Sequence, residues 1–101
     1  RIEGLEPGTC GGHACDWETS IMALIDENYV RRDKLQRGYV GPLTGELLDK
    51  FFNEGVGSVS SIGVMGDPTG ADKERGRRYF EYFQDLQANC IKNKIKEWED
   101  R

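Results

Sequence analysis

The stretch "GGHACDWETSIMALIDENYV", residues 11–30, changes character after five residues. Gly11 to Cys15 form a glycine-led loop that holds the only histidine of the chain, His13. From Asp16 onward the pattern is different. Trp17, Ile21, Leu24 and Ile25 recur at helical spacing, with Met22 alongside, as one apolar face of a helix requires. Asp16 can cap the start, and acids such as Asp16 and Glu18 suit the positive end of the helix dipole. The spacing predicts a helix over 16–27, entered from a loop in which an imidazole stands among Cys10, Cys15, Asp16 and Glu18.

Two chemistries compete with an ordinary loop at this junction. As metal ligands, Cys10, His13 and Cys15 are three donors. A structural zinc site wants four, usually as two spaced pairs. No second pair exists, because Cys90 falls inside the last helical segment. The cysteines read better as small apolar fillers. As a catalytic group, His13 lies on a glycine-flanked loop where an imidazole can approach a ligand and titrate near neutrality. Glu18 follows in the first helical turn and can orient the imidazole or bind a substrate donor. On spacing alone the plainer alternative is the stronger: a loop histidine bonded to backbone and a dipole-favoured acid.

Working outward, residues 1–15 read as loop. "RIEGLEPGTCGG", residues 1–12, begins without Met and has neither helix nor strand period. Such a connection suggests the C-terminal part of a larger polypeptide, or a cleavage product. "QRGYVGPLTG", 36–45, is again loop. "GELLDKFFNEG", 45–55, predicts a short amphipathic helix over 46–54, with Leu47, Leu48, Phe51 and Phe52 on one face and Gly55 as its stop. Val56 to Met65, broken by Gly57 and Gly63, offers at best one short strand, and "GDPTG" is a turn.

The clearest element is a helix over 72–98. Tyr79, Phe80, Phe83, Leu86, Cys90, Ile91, Ile95 and Trp98 form a stripe along it, with Arg75, Arg77 and Arg78 read as a solvated face. At 1.5 Å per residue it is about 40 Å long and needs a sheet or other helices to lie on. Three helices, one or two short strands and much loop fit the C-terminal half of an α/β or α+β enzyme.

Composition narrows the classes. A chain of 101 residues is at most one domain. A net charge of -4 argues against a general nucleic-acid binder, which needs a basic surface. No apolar run approaches the ~20 residues of a membrane span, and no secretory signal is visible. Three cysteines without framework spacing read as reduced thiols of a cytoplasmic protein.

Two stretches add more than spacing. "GGHACDWETSIMALIDENYV" and "SSIGVMGDPTGADKERGRRYFEYF", residues 60–83, resemble the C-terminal signatures of the creatininase family of metal-dependent amidohydrolases. That family has a His-Ala/Gly-Gly loop leading into Glu-Thr-Ser and a Met/Leu-rich helix. Its second signature is a Gly-Asp-Pro turn before the final helix. The resemblance implies an α/β fold, this chain being the C-terminal part of a three-layer α/β/α domain with a mainly parallel sheet. It implies hydrolysis of a C–N amide bond at a two-metal centre. The divalent ions, zinc, manganese or iron, would be bound mainly by residues outside this chain, so no metal ligand is assigned here.

By the same resemblance His13 contacts substrate and assists proton transfer, and Glu18 orients the site. Cys15 stands where the family has glycine, a position that could face the substrate pocket. Thr9 and Cys10 occupy the places of an aromatic and an acid that help creatininase hold creatinine, which argues against creatinine as substrate. Other branches cleave formamides or trim a peptide precursor. The implied partners are a small amide or peptide substrate, the N-terminal remainder of the protein and further copies in a homo-oligomer. The alternative is a non-catalytic subunit or fragment that completes a fold or an interface.

Overall fold

A computed structural model describes residues 5, 6 and 8–101. The expected loop over 1–15 therefore lies partly outside the described residues. The first helix, α1, runs Asp16–Ile25. It ends before the expected residue 27 because Asp26 turns extended and its carboxylate accepts the Asn28 N–H, which starts a 3-10 turn at Glu27–Tyr29. Asp16 is not its cap: Cys15 occupies that position and makes no side-chain cap bond.

Helix α2 spans Gly45–Glu54. The Thr44 hydroxyl oxygen accepts the Leu47 N–H at 3.2 Å, and Gly55, at φ 87°, ends the helix. The segment expected as a short strand holds instead a 3-10 turn, Val56–Ser58, and pairing among the described residues is confined to isolated bridges at Met65. Gly63 and Gly66, at φ 77° and 130°, break the extended run there. Helix α3, Lys73–Glu99, starts where the Asp72 carboxylate accepts the Arg75 N–H at 2.9 Å.

The core is where α1 lies on α3, and it is built from small side chains. Ala23, Ala71 and Tyr79 are buried together with Asp16 and Ser20. Gly76 of α3 lies so close to Ser20 of α1 that a Cβ there would overlap the Ser20 carbonyl. Such contact brings two backbones together without large apolar side chains. At the rim the Trp17 and Phe83 rings meet at a tilt, with centroids 5.3 Å apart.

Farther along α3 the cover stops. Tyr79 is buried and Phe83 half-buried, but Phe80, Leu86, Cys90, Ile91, Ile95 and Trp98 are exposed. The stripe therefore meets a partner helix over only its first part. The reason is length, since α1 has 10 residues and α3 has 27. At 1.5 Å per residue, about 15 Å of helix cannot cover about 40 Å. Among the described residues no helix is long and apolar enough to cross a membrane.

Candidate active site

Three loops meet in front of α1. Met65 pairs antiparallel with His13, its N–H bonding the His13 carbonyl at 2.8 Å. It also pairs parallel with Tyr39, whose N–H bonds the Val64 carbonyl at 3.0 Å and whose carbonyl accepts the Gly66 N–H at 2.7 Å. Met65 itself is buried. Glycine is needed at Gly66, where φ is 130° and a Cβ would overlap the Thr9 carbonyl. That Thr9 carbonyl accepts the Asp67 N–H at 3.0 Å and the Asp16 N–H at 3.5 Å.

His13 rides on this platform. Its backbone is bonded and its side chain is exposed. The ring meets Phe51 of α2 edge-on, at 6.2 Å between centroids. Its neighbours Gly12 and Ala14 both take positive φ, 98° and 52°. Ala14 is the only non-glycine residue among those described to do so, the kind of local strain that clusters at functional sites. Beside Ala14 opens a cleft of about 350 Å³, walled by Leu35, Ile62 and Val64, with Thr19 and Lys34 as polar groups.

Glu18 is half-buried in the first turn of α1, and among the described residues no hydrogen bond joins it to His13. Cys15 is placed differently from the expectation. Its side chain is fully buried against the Gly66 backbone, so it does not face a pocket. Burial pushes its thiol up, and backbone N–H groups of Gly12, Glu18 and Trp17 only partly oppose this. Of the three cysteines, all unpaired, only Cys15 is an apolar filler, since Cys10 and Cys90 are exposed.

The largest departure from the sequence reading lies under the loop. Asp16 has no exposed surface. Its carboxylate accepts a bidentate pair from Arg75, Nε at 2.8 Å and Nη2 at 2.7 Å, and the Tyr79 hydroxyl donates to it at 2.6 Å. Arg75 also donates to the Gly70 carbonyl. It is therefore a partly buried clamp, whereas Arg77 and Arg78 are solvated. Arg75 and Tyr79 stand one turn apart on α3, and that i,i+4 spacing is the signal by which the pair could have been found.

Burial and the Asp16 carboxylate together hold the Tyr79 hydroxyl far above its ordinary value. The folded state thus favours the protonated phenol. Its contribution is complete below the unfolded tyrosine value of about 10 and falls as pH rises beyond it. Thermal melts should show stability dropping above about pH 10, more steeply in the parent than in Tyr79→Phe. Parallel slopes would remove Tyr79 from the buried cluster.

Among the described residues, no group of three or more His, Cys, Asp or Glu side chains is placed to hold a metal ion.

A histidine on a strained, hydrogen-bonded loop ahead of a helix, with a Gly-Asp-Pro turn packed behind it, defines a class. The chain belongs to the creatininase family: residues 2–91 match that family, described as creatinine amidohydrolase. The similar curated proteins are narrower in kind. The chain is 41% identical to the mycofactocin precursor peptide peptidase of Mycobacterium ulcerans (strain Agy99), over 97% of this chain and 40% of that protein. It is 36% identical to the protein of the same name in Mycolicibacterium smegmatis (strain ATCC 700084 / mc(2)155), over 98% of this chain and 41% of that protein. It is 35% identical to that of Mycobacterium tuberculosis (strain ATCC 25618 / H37Rv), over 97% and 40%. The chain thus spans about two fifths of the length of the curated relatives it matches. No solved structure matches it.

Proposed function

We propose that this chain is the substrate-facing C-terminal portion of a metal-dependent amidohydrolase that cleaves an amide bond in a peptide. The observation that carries the reading is His13: an exposed imidazole on a backbone fixed by Met65, in a family of amide hydrolases. Similarity to precursor-peptide peptidases favours a peptide over a cyclic amide or formamide.

In this reading His13 donates a proton to the leaving amine nitrogen as the C–N bond breaks. Without that proton the leaving group would depart as an amide anion. Glu18 is the residue we assign to orienting the site. Zinc, manganese or iron ions would be held outside this chain. The rest of an α/β domain would lie on α3, and the whole would work as a homo-oligomer in the cytoplasm. The unpaired thiols fit a reducing compartment.

The test is hydrolysis of an unmodified peptide by the protein carrying this chain, with each of the three metals supplied. Mass spectrometry should find two products whose masses sum to the peptide plus one water. No cleavage with any of the metals would favour the second reading, a subunit that completes a fold, to which the exposed face of α3 lends support.

Two further outcomes are expected. Glu18→Gln lowers kcat by about 10–100-fold, the size of effect seen when a group supporting the reacting one is lost. Unchanged kcat would leave Glu18 as a helix-dipole acid. Elemental analysis of the purified 101-residue chain should show divalent metal well below one ion per chain. A stoichiometric pair of ions would place the metal centre in this chain.

A further inference from the structure

We infer that Asp16, Arg75 and Tyr79 act as positioning residues, a clasp that closes both ends of the His13 loop onto α3 and so holds the imidazole in place. The inference rests on the reading of His13 as substrate-facing, and its geometry stands apart from that reading.

The Tyr79 hydroxyl touches the loop twice. It donates to Asp16 at 2.6 Å, and it lies 3.0 Å from the Cys10 sulfur. His13 is midway between these two points, three residues from each. One hydroxyl on one helix thus ties the entry and the exit of the loop that carries the imidazole. Arg75 completes the far end by gripping both oxygens of Asp16, at 2.8 and 2.7 Å. The planar guanidinium fixes the carboxylate in direction as well as in distance.

Two observations argue that this is more than stabilisation. A buried ion pair is a poor way to gain stability, because desolvating both charges costs as much as their attraction returns. An apolar pair at 16 and 75 would hold two helices together equally well. What it would not do is fix the angle at which the chain enters α1. Meanwhile the loop needs outside support. Gly12 and Ala14 sit at φ 98° and 52°, so the conformation around His13 is not one the local chain prefers. Met65, from a separate loop, braces only the middle of this one: its N–H donates to the His13 carbonyl at 2.8 Å, and the His13 N–H reaches the Met65 carbonyl at 3.4 Å.

Tyr79→Phe tests this, since it removes the shared hydroxyl and leaves the ring that packs between the helices. Native-state amide hydrogen exchange on the 101-residue chain should show selective loss of protection at His13, Asp16 and Met65, whose N–H groups bond across the loop. Protection at Ala23 and along α3 should stay as in the parent. Cys10→Ala, which frees the entry end alone, should lower protection at His13 and at Asp16, whose N–H bonds the Thr9 carbonyl beside Cys10, but by less than Tyr79→Phe does. Protection lost evenly through α1 and α3, or not lost at all, would overturn the clasp.

In the active protein, Tyr79→Phe should lower kcat by about 10–100-fold with KM unchanged, as a small misplacement of a reacting group does. Arg75→Lys, which keeps the charge but not the fork, should fall between the parent and Arg75→Gln. A full kcat in Tyr79→Phe, alongside a loosened loop, would overturn the positioning role. Should His13→Ala itself retain full activity, the functional reading fails. The exchange pattern then decides the clasp by itself.

Discussion

Replacing His13 by alanine is expected to lower kcat for peptide hydrolysis by about 10²–10⁴-fold, the usual worth of a positioned general acid. The ground is placement. The imidazole is exposed while its backbone is bonded to Met65, and the ring meets the edge of Phe51. An exposed side chain contributes little to folding, so the variant should melt at the parent's temperature. Steady-state kinetics with the metal content measured in parallel decides the matter. Loss of metal in the variant would make His13 a ligand. Unchanged kcat with intact metal would reduce the loop to a connection.

The second large effect has a sign opposite to the usual one. Replacing glycine inside a helix ordinarily stabilises it by about 1 kcal/mol. Gly76 lies in the first turns of α3, yet Gly76→Ala is expected to destabilise the chain, and Gly76→Val more so. Any Cβ there overlaps the Ser20 carbonyl, and backbone cannot yield as a flexible side chain does. The helices must part, and parting them exposes Asp16 and its partners. Overpacking of this kind costs about 1–3 kcal/mol, which outweighs the helix gain. Urea unfolding of the two variants against the parent measures it. A raised midpoint for Gly76→Ala would mean that α1 and α3 do not pack as described.

The sequence made the helices legible because each carries its own apolar period. Gly55, read as the stop of α2, sits where the structure uses it, whereas Asp16, read as the cap of α1, gives that place to Cys15. The position of His13 on a loop before a helix was legible for the same reason. The Asp16–Arg75 pair was not. Its members are 59 residues apart, and each alone looks like an ordinary surface charge. Only the approach of α1 and α3, set by Ser20, Ala23 and Gly76, turns them into a buried pair. The cover over Cys15 was not legible for a related reason. What covers it is the backbone at Gly66, brought in by hydrogen bonds to Thr9 and Tyr39 that no local pattern announces. The short strand failed because a strand is a property of its neighbour as much as of its own residues.

The outrunning of α1 by α3 leaves the two tryptophans in different solvents. Trp17 is half-covered and lies against Phe83, while Trp98, near the far end of α3, is 60% exposed. The radius of gyration, 16.3 Å, exceeds the about 13 Å of a compact chain of this length, because that end stands clear of the rest. The molecule therefore carries a built-in optical gauge. Water-borne quenchers should reach Trp98 first and dim its red-shifted emission, leaving the bluer light of Trp17. Whatever comes to rest on the outer half of α3 would shield the red component alone, so its arrival could be followed by colour without a label.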